Sequence, residues 1–456
     1  MMVSALRLQV MGSYTMRLLG IGLLALALTT GASPVCAADA PQDPTDTPAD
    51  RALQAAAAFI AQRPQPCEGY IALAKASIRK ARESGDDGYY QRAEHAIQHV
   101  LAHQPDASEA LLLLAWTQTG QHQFAAALKT AERLRQHLPN NYQVYGLLGD
   151  AHIELGQYER AAGAWQRMID LRPGPAAYSR IAYLRKLYGD LQGAIEMMAM
   201  AVRSVSPRDP ETYAWLLVQY GNLHFEQGRL KVAEAAYAKA HHVFPAYYRA
   251  VEAMARIRAA QQRYAEAIEL YQQAVNIVPA PDMIATLGDL YHLTGQPEAA
   301  EQQYAQVEFI TRLDTFNSIT YSRQVAHYYA DHDRNIGAAL AMMERERDNR
   351  QDINTYDTLA WVYYKAGRLN DARKAIQQAL RLGTQDALLW YHAGMIAHGL
   401  GEFDTAQAQL RRALDINPYF SPLHASRARL TLAELESTAR LPSTPTTASH
   451  TTGGGS

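Results

Sequence analysis

Cysteine is nearly absent from this chain of 456 residues, which carries only Cys36 and Cys67. One of the two lies in a segment read below as removed on export, so the mature chain can form no internal disulfide and must be held by packing. A charge excess is missing as well: 43 Lys and Arg face 45 Asp and Glu, a net charge of −2. No concentrated basic face results, and no nucleic-acid partner is expected. The one sustained apolar run, Leu18 to Leu28, is too short for a comfortable membrane span, and none is expected in the mature chain. Walker-type glycine loops, G-x-S-x-G elbows and H-E-x-x-H pairs do not occur, which removes the common nucleotide, hydrolase and metalloprotease signatures. No cofactor is expected.

What the chain does contain is a period. Between Asn354 and Phe420, Tyr356 is answered by Trp390, Ala360 by Gly394, Gly367 by Gly401, Leu369 by Phe403, Ala372 by Ala406, Ile376 by Leu410 and Ala379 by Ala413, each pair 34 residues apart. A fixed period of this length signals a repeat architecture. Each unit holds two runs of helical periodicity joined at a glycine, so it reads as a helical hairpin. Bulky residues at positions 4, 7 and 11 and a small one at 8 make one stripe of the first helix. Positions 17, 20, 24 and 27 do the same for the second. Small residues at 8, 20 and 27 let the backbones approach, and Pro at about 32 stops the second helix.

This pattern resembles the tetratricopeptide repeat, here of an exported bacterial type. Its clearest copies are Tyr356, Leu359, Ala360, Tyr363, Gly367, Leu369, Ala372, Ile376 and Ala379, and Tyr145, Leu148, Gly149, Gly156, Tyr158, Ala161, Trp165, Met168 and Pro173. The resemblance implies an all-α fold: a right-handed superhelical solenoid of about ten helical hairpins with a C-terminal capping helix. The repeats read as about 68–105, 108–141, 142–175, 176–207, 214–247, 248–280, 281–314, 319–352, 353–386 and 387–420, with the cap at 421–436. Gln262 stands where the sixth unit wants its turn glycine, and Asp333-Arg334 where the degenerate eighth does. Ser206 to Pro210 reads as an inserted surface loop.

The solenoid as a whole is expected over 51–436. Before it, residues 1–37 read as a signal peptide, with Arg7 and Arg17 ahead of or within the apolar stretch and Val35-Cys36-Ala37 at the cleavage point. Met1 and Met16 are alternative starts, and a lipid anchor on Cys36 is the second reading. Cleavage removes two of the 43 basic residues and no acids, leaving a charge of −4. Residues 38–50 read as a flexible leader and 437–456 as a disordered tail.

In this family the first helices line the concave side, and the resemblance turns positions 2, 5, 9 and 12 of each unit toward the groove. These supply the candidate partner-binding residues Trp361, Tyr364, Tyr391, Asp357, Tyr328, Trp215, Phe225 and Tyr183. Exposed aromatics serve as binding anchors, although about half of these are expected to be taken up by neighbouring repeats or loops. No metal is expected; His95, His99 and His103, spaced i, i+4, i+8, are weak candidates that lack a carboxylate to complete a set. His327, Asp331, His332 and Asp333 read as a solvated helix end and turn. The Lys and Asn of chaperone-type carboxylate clamps are not matched, and neither is an asparagine ladder.

The expected function is therefore a non-enzymatic scaffold, exported to the periplasm or secreted, that binds a protein partner in the concave groove. A carbohydrate- or small-ligand-binding module is the alternative, suggested by the Trp, Tyr and Asp lining of repeats eight to ten. An enzyme ranks third, because no segment outside the repeats is long enough for a catalytic domain.

Overall fold

A computed structural model of the chain describes residues 47–317 and 322–439. The signal at 1–37 with Cys36, the leader up to residue 46 and the tail from residue 440 lie outside them. The described residues form 22 helices and no strand, an all-α solenoid. Ten helical hairpins follow one another from Cys67–Ser84 with Gly88–His103 to Ala387–Gly399 with Phe403–Ile416. A leading helix, Pro48–Gln62, and a closing helix, His424–Ala439, flank them. The leading helix starts inside the stretch read as leader because Thr47 and Asp50 form a reciprocal capping box at its first turn. No helix among the described residues is long and apolar enough to cross a membrane.

Hairpin packing follows from residue size. A Cβ at Gly149 would lie 2.2 Å from Trp165, one at Gly221 2.3 Å from Tyr237, and one at Gly288 2.5 Å from Tyr304. In all three repeats a glycine at position 8 accommodates an aromatic ring at position 24. Where position 8 is Ala360, position 24 is the smaller Ile376, and both are buried. The pairing is not a strict rule: the sixth repeat carries Ala255 with Tyr271, and the tenth Gly394 with Leu410; in each case the two sizes fill one dense contact.

The turn inside the hairpin needs a left-handed residue. Gln262 (φ 59°) and Asp333 (φ 52°) adopt it without being glycine, at a cost of about 1 kcal/mol each. The sixth and eighth repeats therefore keep the turn that their sequences seemed to lose.

A longer-range feature was not legible in the repeat pattern. Glu154 at the end of the third repeat's first helix pairs with Arg350 at 2.5 Å, and its carbonyl accepts from the Gln351 amide at 2.8 Å. The Tyr158 hydroxyl accepts from the Ile353 amide at 2.8 Å, and Asn417 Nδ2 donates to the Phe225 carbonyl at 3.0 Å. These partners stand 192 to 196 residues apart, between five and six repeat lengths. The coil has come round once and rests on its own earlier turn. Gly156 and Gly189 sit at this seam: a Cβ there would lie 2.5 Å from the carbonyl oxygens of Gln351 and Gly383 respectively.

Candidate functional site

Because successive turns touch, the concave side is a partly closed space. Its largest part is a cavity of about 570 Å³ between repeats five to eight on one side and the tenth repeat with the closing helix on the other. Phe225, Arg256, Asp282, Asp289, Arg323, His327 and Tyr419 are among its walls. A second space of about 420 Å³ lies among repeats three to five. A third, of about 370 Å³, shares Asp282 and Gln324 with the first and Trp215 and Thr119 with the second. The three adjoin one another along the concave side, here called the lumen.

Its walls are charged, and most charges are matched. Arg180 holds Asp150 through two bonds of 2.7 and 2.6 Å, and Lys186 meets Glu226 at 2.5 Å. Arg256 donates to Asn222 at 2.5 Å and lies over the Phe225 ring at 5.1 Å. Behind the Lys186–Glu226 pair, Asp386 is not fully matched. Burial pushes its carboxyl up to about 6, with Glu226 and Asp357 adding to the shift and Lys186 opposing it. Asp282, Tyr419 and Arg429 are exposed within the largest cavity, at its mouth.

Trp361, Tyr364, Tyr391 and Asp357 come together in one cluster. Trp361 stacks on Tyr364 at 5.0 Å and on His392 at 4.4 Å, and its Nε1 donates to Asp331 Oδ1 at 2.7 Å. Tyr391 stacks on His424 at 4.9 Å. Tyr328 and Phe225 line the largest cavity, whereas Tyr183 and Trp215 line the second. Trp361, Tyr391, Tyr328 and Phe225 are buried, and Tyr364, Trp215 and Tyr183 are half-buried. The buried four are held by neighbouring repeats, because the lumen is narrow enough for adjacent first helices to share their side chains.

Around this cluster lies a set of histidines. His327 Nδ1 bonds to Asp331 Oδ2 at 2.9 Å, and His424 Nε2 lies 3.0 Å from Asp331 Oδ1. His392, fully buried, bonds through Nδ1 to Asp357 Oδ1 at 2.8 Å. Burial works against both members of the Asp331 pair, yet their mutual attraction wins: Asp331 is held well below the usual carboxylate range and His327 is raised to about 9. Burial lowers His392 despite Asp357. His332 bonds to Asp289 at 2.7 Å across the cavity wall.

The reading of His327, Asp331 and His332 as a solvated helix end is therefore corrected; only Asp333 is exposed. The eighth repeat is degenerate in sequence but docked against the ninth, tenth and closing helices, which leave these groups half-buried on the cavity wall. His392 and His424 were missed. The signal for the first was present: His392 follows Asp357 by 35 residues, one repeat length plus one, and equivalent positions on consecutive first helices are neighbours. His424, on the closing helix, has no such periodic signal. Of His95, His99 and His103, the last two have their rings 4.9 Å apart; His99 stacks on Tyr70 at 3.7 Å, and His103 Nδ1 meets the His99 carbonyl at 2.9 Å.

Family models described as tetratricopeptide repeat match residues 118–182, 220–283 and 358–419. The chain is similar to the human protein O-mannosyl-transferase TMTC1, 25% identical over 174 residues. That stretch is 37% of this chain and 19% of the relative, so the chain spans about a fifth of the length of this curated protein. Among solved structures it resembles a thermophilic TPR protein of Thermus thermophilus, at 20% identity over 45% of this chain and 98% of the other, with a TM-score of 0.34. It also resembles PilW, described as a type IV pilus biogenesis factor, at 16% identity over 44% and 93%, with a TM-score of 0.39.

Proposed function

We propose that this chain, a tetratricopeptide-repeat protein, is a non-enzymatic scaffold that holds a segment of a protein partner in its lumen, in the cell envelope or outside it after export. Repeats of this kind are protein-interaction modules, and a solenoid supplies one long interior surface for that purpose. The observation that carries the reading is the cavity of about 570 Å³ with Asp282, Tyr419 and Arg429 exposed at its mouth. An exposed aromatic ring and charges of both signs on one cavity lining suit an extended peptide carrying polar side chains. The lumen is too narrow for a folded domain, so the segment would enter as a single strand of chain. The likeness to the mannosyl-transferase covers 19% of that protein, and no transferase activity is carried over.

Crosslinking in cell envelopes, followed by recovery of the protein, tests this. A defined partner is expected with the wild type, and Asp282→Lys combined with Tyr419→Ala is expected to reduce its recovery about tenfold. Those side chains are exposed, so the fold should survive. Undiminished recovery from the double variant would remove the cavity from the account. The cavity volume also favours a second reading, since small-molecule sites fall in the range of about 300–1,000 Å³. A glycan array that gives hits with a protein recovered alone would establish that reading instead.

A further inference from the structure

We propose that His327, Asp357 and His392 form a site for one divalent transition-metal ion of the zinc class, which ties the first helices of the eighth, ninth and tenth repeats together. The three residues stand on helices Ser322–Asp331, Ile353–Lys365 and Ala387–Gly399. Each brings one ligand-capable atom to within 4.8 Å of the other two, the one such group among the described residues. Two imidazoles and a carboxylate match zinc, cobalt or nickel and are a poor match to magnesium or calcium, which take oxygen ligands.

Two further observations point to a ligand. Nε2 of His327 is buried without a partner, a condition that buried polar atoms rarely tolerate. The outer support is already built. Asp331 takes His327 Nδ1 at 2.9 Å, which leaves Nε2 as the donor atom, and Asp331 is itself fixed by the Trp361 indole at 2.7 Å. A carboxylate behind a ligating histidine is the usual way such a ring is aimed.

A metal ion here would displace the proton that His392 Nδ1 shares with Asp357 Oδ1 and, at neutral pH, the proton on His327 Nε2, both leaving to solvent. The His392–Asp357 pair, now 2.8 Å apart, would open slightly and His327 would draw in to reach bonds of about 2.0–2.2 Å. His327 also lines the largest cavity, so the fourth position would open to the lumen. The inference stands apart from the partner reading and survives its failure.

The test uses the mature chain without a histidine tag, stripped with chelator and dialysed. Added Co2+ is expected to bind at one equivalent and to give the visible absorption of a four- or five-coordinate ion, displaced by Zn2+. Zn2+ at a hundredfold excess over its Kd should raise Tm, reversibly with chelator. His327→Gln, at a half-buried position, should weaken Co2+ binding at least tenfold and abolish the Zn2+ shift while keeping the wild-type circular dichroism. His99→Gln should change neither. Absence of stoichiometric Co2+ uptake by folded wild type, or equal uptake by His327→Gln, overturns the proposal.

Discussion

Gly189→Ala and Gly367→Ala are the same change at the same turn of two repeats, and they should not cost the same. Both glycines sit at positive φ, 78° and 73°, so each alanine adopts a left-handed conformation at about 1 kcal/mol. Both gain the same small benefit from a stiffer unfolded chain. Beyond that they differ: nothing lies within 4 Å of a Cβ at 367, while one at 189 meets the Gly383 carbonyl at 2.5 Å. That oxygen is backbone and cannot rotate away, so the two turns of the coil must separate locally. Overpacking of this sort costs about 1–3 kcal/mol. Gly189→Ala should therefore lose about 2–4 kcal/mol and Gly367→Ala about 1. Urea unfolding of both variants, with hydrogen exchange of residues 383–386 as the local readout, checks this. Hydrogen exchange suits a solenoid, which need not unfold in one step. Equal losses, or no faster exchange at 383–386 in Gly189→Ala, would mean that the turns do not touch.

The other predictions rest on burial. Trp361→Ala, at a 3% exposed position, should cost about 3–5 kcal/mol; thermal melts should fall sharply, so any lost binding would follow lost structure. Arg350→Ala strands Glu154 at the seam without its partner and should cost about 3–5 kcal/mol, whereas Arg350→Met with Glu154→Gln should recover only part of that loss in denaturant titration, because buried Glu346 and Asp352 also face Arg350 at 3.8 and 3.6 Å. Asp386 has its folded pKa near 6 against an ordinary 3.8. The folded state therefore holds the extra proton, and stability present below pH 3.8 is lost as pH rises to 6. Asp386→Asn keeps the cap on Leu388 and should stabilise the protein at pH 7–8 by about 1–3 kcal/mol, with little gain near pH 4.

The hairpins were legible because each is written within 34 residues, in sizes that pack on one another. Gly149 with Trp165 and Gly221 with Tyr237 can be paired from spacing alone. Turn geometry was less so: Gln262 and Asp333 break the glycine rule but keep the turn. The seam was not legible at all. Gly189 and Gly367 occupy the same place in the pattern, yet only the first meets backbone from another turn. That difference comes from rotation accumulated over more than five repeats, which no local residue records. The site followed the same division. The pattern placed Trp361, Tyr364 and Tyr391 on the concave side, but not how narrow that side is. Four of the seven candidate aromatics are therefore buried, Tyr328 and Phe225 in the cavity wall and Trp361 and Tyr391 in the packed cluster, with His392 and Asp331 as polar partners of Trp361.

The central claim is that a partner's chain enters the lumen past Tyr419. A photo-crosslinking residue at position 419, at the cavity mouth and 39% exposed, can be compared with one at position 403, where Phe403 is 55% exposed and not among the lumen residues. In living cells the expected result is a single discrete protein adduct at 419 that is absent at 403. Adducts of equal yield at both positions, or none at 419 while 403 crosslinks, would contradict it.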